Sequence, residues 1–120
     1  MSGMSPTLEW CEKKGGSYLK FMFGEQLTER DADFAILEWK QVFRQKKDQC
    51  INLIWDCTNM KQYESGARKK WTNTLFELRP QIGSIWLISE SSVVRMGASV
   101  MGMATSLHIK TITSESELKF

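Results

Sequence analysis

Histidine is nearly absent from this chain: His108 is the only one in 120 residues. Nucleophilic catalysis by serine or cysteine needs a positioned base. His108 stands just before a short apolar run, and nothing in the sequence ties it to a Ser or Cys. It reads as a strand-edge residue. Cysteine is scarce too. Cys11, Cys50 and Cys57 are odd in number, widely spaced and without a Cys-x-x-Cys pair. Zinc-ligand spacing is therefore missing, and three reduced, half-buried thiols are expected. No metal and no cofactor are implied.

Other absences narrow the class further. No apolar run approaches the ~20 residues that span a bilayer. The opening Met1-Ser-Gly-Met-Ser-Pro6 lacks the basic and apolar regions of a signal peptide, so the cytosol is the expected location. Charge of one sign is not in excess. Sixteen basic and 14 acidic residues leave a formal +2, too balanced to imply nucleic acid, which favours a strongly basic face. Gly97-x-x-x-x-Gly102 lacks the following Lys-Ser/Thr of a phosphate loop and lies inside a helical stretch. There is no repeat, linker or low-complexity tract. One domain over 1–120, with its core at about 8–118, is expected.

What remains is ordinary globular material, 42% hydrophobic and 25% charged. The stretch around which the rest is organised is Ile51 to Trp55, a short apolar run that ends abruptly in Asp56. Such runs suit a strand buried on both faces. A polar loop follows, then a helix from about Glu64 to Leu78. Its apolar positions Ala67, Trp71, Leu75 and Leu78 share one face, and Arg68, Lys69 and Lys70 lie mostly opposite. Pro80 stops it.

Before this unit, Thr7 to Lys13 and Tyr18 to Phe23 alternate in polarity around Gly15-Gly16, which predicts an antiparallel hairpin. Thr28 and Asp31 form a capping box for a helix from about Glu29 to Lys47. Its stripe is Ala32, Ala35, Ile36, Trp39, Val42 and Phe43. Phe34 and Leu37 fall off the stripe, left for a neighbouring element or for solvent. After the unit come a buried run over Ser84 to Ile88, a helix capped by Ser91 or Ser92 and reaching about Leu107, and a strand over Ile109 to Ile112. Ser114 to Leu118 starts a turn of helix. The order β-β-α-β-α-β-α-β predicts an α/β fold with a mixed, mostly parallel sheet, an opening hairpin and about three helices.

In such a fold, the loop leaving the carboxyl end of a central strand borders a crevice. That places the candidate site on Asp56, Asn59, Tyr63, Glu64, Ser65, Gly66 and Arg68. Asp56 is expected to hold the loop backbone through its side chain. Ser65 reads as the N-cap of the second helix, where free N–H groups also favour a phosphate. Met96, Met101 and Met103, with nearby glycines, suit an adaptable apolar pocket between the last helix and the sheet.

The segment Asn52-Leu-Ile-Trp-Asp-Cys-Thr-Asn-Met-Lys-Gln-Tyr-Glu-Ser-Gly-Ala67 resembles the central strand-loop-helix of STAS domains, the sulfate-transporter and anti-sigma-factor-antagonist family. The SpoIIAA-like, STAS/SEC14-related group is most similar. The resemblance implies a small non-enzymatic module that binds a protein partner, with a small apolar ligand, lipid or nucleotide, as the alternative. It also makes Ser65 the candidate phosphoacceptor. The family segment is Asp-Ser-Ser-Gly; aligning Ser65-Gly66 to its end replaces the acid and first serine by Tyr63 and Glu64, and the other register puts Gly66 at the acceptor position.

Overall fold

A computed structural model describes residues 6–13 and 16–118. The elements are β1 (Thr7–Lys13), β2 (Gly16–Met22), β3 (Gln26–Leu27), α1 (Glu29–Gln45), β4 (Ile51–Asp56), β5 (Gln62–Tyr63), α2 (Ser65–Leu78), β6 (Ile82–Ile88), α3 (Ser92–Thr105) and β7 (Ile109–Ile112). Single 3-10 turns lie at Arg79–Gln81 and Glu115–Glu117. The main sheet runs β1-β2-β4-β6-β7. Only β1 is antiparallel to its neighbour; the other pairs are parallel.

The expected hairpin is therefore present, at one edge, although Gly15 in its turn lies outside the described residues. The expected centre at Ile51 to Trp55 and Ile85 to Ile88 also holds. Each crossover from β2 to β7 steps in one direction along the sheet, and right-handed connections then put all three helices on one face. Their buried residues form one cluster with Leu19, Phe21, Leu53, Trp55, Ile85 and Leu87. Tyr18, Ile54, Trp86, Ile88 and Ile112 form a second cluster on the opposite face, with Leu118 packed against it. The chain after β7 returns across that face, where Lys20 pairs with Glu115 at 3.3 Å. All three thiols are free, but they do not share one environment: Cys11 is half-buried, Cys50 exposed and Cys57 buried.

The first helix begins as its sequence predicts. Asp31 N–H donates to Thr28 Oγ1 at 3.0 Å, and Thr28 N–H donates to Asp31 Oδ2. It stops two residues short of Lys47, because Gln81 Nε2 donates to the carbonyls of Phe43 and Lys46 at 2.9 Å each. Val42 is only partly buried, and Phe34 and Leu37 face solvent.

Two short strands carry no signal in the sequence. β3 and β5 pair in parallel as a separate two-stranded sheet. Two residues each are too few for any alternation to show.

A side chain completes the centre of the main sheet. Opposite the single residue Asn52 of β4 stand two residues of β6, Gly83 and Ser84, which is the count of a bulge. Asn52 Oδ1 accepts from Ser84 N–H at 2.8 Å and from its hydroxyl at 2.9 Å, and Asn52 Nδ2 donates to the Ser17 carbonyl. The amide thus replaces a missing ladder bond and ties β2, β4 and β6. Position 83 must be glycine for this approach, since a Cβ there would overlap Asn52 Oδ1. Asn52→Ala is expected to cost about 1–3 kcal/mol, because it leaves the Ser84 N–H without its acceptor. Thermal unfolding of the variant checks it; an unchanged midpoint would mean that another group takes over that role.

Candidate functional site

The loop after β4 is held from both ends. Asp56 Oδ1 accepts from the Thr58 N–H at 3.1 Å and from the Thr58 hydroxyl, the self-contained turn expected of an aspartate in this position. Cys57 N–H continues the sheet by donating to the Ile88 carbonyl. The N–H groups of Lys61 and Gln62 donate to the Glu25 carbonyl, and that of Glu64 to the Leu27 carbonyl. These bonds make β5 and fix where α2 begins. Asn59 is exposed at the loop's tip.

The start of α2 differs from its sequence reading by one residue. Glu64, not Ser65, is the N-cap, and its side chain does not cap its own helix. Its Oε1 instead accepts from Glu29 N–H at 2.7 Å, at the first turn of α1. Ser65 is the first helical residue, exposed, and its hydroxyl makes no hydrogen bond within the described chain. The β3–β5 pairing decides this offset: Glu64 follows directly on the last ladder residue, so its extended backbone serves as cap.

The charges here also differ from the simple pattern. Of the basic trio, Lys70 is committed to Asp33 at 2.7 Å and Glu29 at 3.0 Å. Those hydrogen bonds, Asp33 first, raise its pKa. The Glu29 carboxylate lies against Gly66, where a Cβ would overlap it. The start of α2, next to Ser65 in the chain, thus carries the carboxylates of Glu29 and Glu64 as well as the cations Arg68 and Lys69.

Behind the loop lies an apolar cavity of about 50 Å³. Trp55, Leu87, Trp71, Val94, Ala98 and Met101 form most of its wall, with Phe23, Leu27, Cys57 and Met60 closing it. Every one of these is buried. Tyr63 and Arg68 are the lining residues with partial exposure, so they form its mouth, and Arg68 brings the charge there. Tyr63 reaches α3 across Gly97, where a Cβ would overlap the tyrosine hydroxyl oxygen. Glycine at 97 is what lets that ring lie on the helix.

Of the residues named from sequence, the structure brings Tyr63 and Arg68 to this cavity. Asp56, Asn59, Glu64, Ser65 and Gly66 lie outside its wall. Of the methionines expected beside the last helix, Met101 lines this cavity, and Met103 borders a separate, open groove of about 550 Å³ with Gly102, Leu107, His108 and Ile109. Met96 and Met103 point to solvent, and Met60, which the sequence pattern does not mark, lines the cavity instead. Gly97 is visible in the sequence as a small residue in a helix and Tyr63 as a residue of the loop after β4, but no pattern in the sequence pairs the two. Among the described residues no three His, Cys, Asp or Glu side chains group to hold a metal ion, and no helix is long and apolar enough to cross a membrane.

No protein-family model matches this chain, and no curated protein matches it in sequence. Its fold does match a solved structure. That is an uncharacterized protein of the DUF3478 family from Shewanella loihica PV-4, described as having a SpoIIAA-like fold. The two agree with a TM-score of 0.77 over 98% of this chain and 93% of that one, at 13% identity.

Proposed function

On this SpoIIAA-like, STAS-like fold, we propose a non-enzymatic regulatory module that binds a protein partner on the surface from Asn59 to Arg68. The observation that carries the reading is the size and make-up of the cavity. Pockets for small-molecule ligands occupy roughly 300–1,000 Å³; about 50 Å³ is available in this cavity, and the larger space beside the end of α3, about 550 Å³, is an open groove rather than an enclosed pocket. The cavity's volume suits the tip of one apolar side chain better than a lipid or a nucleotide. A partner residue inserted at the mouth would meet buried hydrocarbon and then Tyr63 and Arg68, residue types that dominate binding energy at interfaces. The backbone around them is pinned by β5 and by the Glu64–Glu29 bond, so little ordering is needed on docking.

The test compares partner capture by the wild type and by Tyr63→Ala/Arg68→Ala, with circular dichroism to verify folding. A loss of roughly 30-fold or more in affinity is expected if both act as anchors. Equal capture would move the interface elsewhere. Met60 and Met101, flexible side chains in the cavity wall, are what a carrier of small apolar molecules would use to widen it. A bound small molecule retained in native mass spectrometry would favour that reading instead.

A further inference from the structure

The outward side of α3 is a separate apolar surface. Val93, Met96, Val100 and Met103 are 56%, 68%, 46% and 83% exposed. Their steps of three, four and three put them on one stripe of the helix. The residues that α3 buries, among them Val94, Ala98 and Met101, occupy the opposite side. The remaining exposed residues of α3 are Ser92, Ser99 and Ala104. Its one charged residue, Arg95, is turned aside and donates to Thr111 Oγ1 at 3.2 Å. An exposed helix face without a single charge is unusual in a chain that is 25% charged, and contiguous exposed apolar patches mark interaction sites.

We propose that this face pairs with the same face of a second copy of the chain, the two α3 helices running antiparallel about a twofold axis that crosses the stripe midway between Met96 and Val100. The order of side chains carries the choice of occupant. Reversing the stripe about position 98 exchanges Val93 with Met103 and Met96 with Val100. Each branched valine then meets a long, adaptable methionine four times across the axis, which is the self-complementarity that an isologous contact requires. Antiparallel helices also set each positive N-terminus beside the other's negative C-terminus. A charged partner would find no opposite charge on this face, and an anionic lipid surface would find no lysine or arginine. Four partly to mostly exposed side chains make a patch well below the area of a standard interface. A standard interface takes about 800 Å² per partner. The pairing is therefore weak and concentration-dependent.

Sedimentation velocity of the full chain from low micromolar to near-millimolar concentration tests this. The wild type should shift from monomer to dimer. Met96→Glu alone should stay monomeric with an unchanged thermal midpoint, since the position is exposed. The double variant Met96→Glu/Val100→Lys sets opposite charges across the axis and should recover the dimer, in a form that salt weakens. A wild type that remains monomeric throughout overturns the proposal. So does a dimer that survives Met96→Glu, or a double variant that stays monomeric.

Discussion

Trp39→Ala is expected to cost the fold about 3–5 kcal/mol, the range for removing a buried tryptophan. Its side chain is 0% exposed and stands where α1, α2 and the sheet meet. Its ring lies 5.3 Å from Phe21 and 5.1 Å from Trp71, with Phe43 and Trp55 at 6.3 and 6.5 Å. Alanine would leave a cavity walled by rings that cannot collapse into it without losing their own edge-to-face contacts. Domains of this kind carry roughly 5–15 kcal/mol in total, so the variant loses a large share. Urea unfolding checks this, and a midpoint shift worth under about 1 kcal/mol would place Trp39 outside the core. Trp39→Phe should cost distinctly less. It keeps an aromatic ring against Phe21 and removes an indole N–H that is buried without a hydrogen-bond acceptor among the described residues, a group that is costly to hold there.

Cys57 is expected to make the fold sensitive to alkali. Burial, and second to it the adjacent Asp56 carboxylate, push its thiol far above the ordinary range. In the unfolded chain the thiol ionises near pH 8.5. A group whose folded pKa is raised contributes stability that is fully present below its unfolded pKa and is lost as pH rises past it. The loss should run at about 1.4 kcal/mol per pH unit above roughly pH 8.5. Tyr18, raised by burial, adds in the same direction above about pH 10. Cys57→Ala should remove the first slope, and identical profiles for variant and wild type from about pH 8 to 10 would sink the argument. Thiol labelling gives a second view. Cys50 is exposed and Cys57 buried, so Cys50 should react at once. Cys57 should react only through opening, at least ~1,000-fold slower where opening costs about 4 kcal/mol. Because Cys57 lines the cavity behind Tyr63, a partner anchored there should slow it further.

Part of the candidate site is legible in the residues alone. Tyr63 and Arg68 follow from a general rule, that a loop leaving a central parallel strand borders a crevice. The short side chain of Asp56 marks it as a loop-holding residue, and its bonds to Thr58 are of that kind. The cap of α2 falls one residue earlier than the sequence indicates, because Ser65 has the better capping side chain but not the position. Glu64 takes the cap because β5 ends beside it and Glu29 offers its N–H. The commitment of Lys70 to Glu29 and Asp33 has the same origin: a lysine of α2 and two carboxylates of α1 meet only when the two helices pack side by side.

By itself the sequence determined the elements of the main sheet and the three helices: the hairpin strands and the helices are long enough for a period of two or 3.6 to separate a core side from a solvent side, and the central strands show as short apolar runs ended by polar residues. It determined the sense of the sheet as well, since helices between strands force parallel crossovers of one hand. The pieces that only the tertiary structure decided are those whose causes are not local. The β3–β5 pair exists because two loops run side by side. Asn52 completes a ladder because β6 carries one residue more than β4 there. The cavity wall draws on residues from Phe23 to Met101, which no pattern along the chain brings together. And the exposed stripe of α3 has a good helical period, but a period alone does not say which side of a helix the sheet will cover.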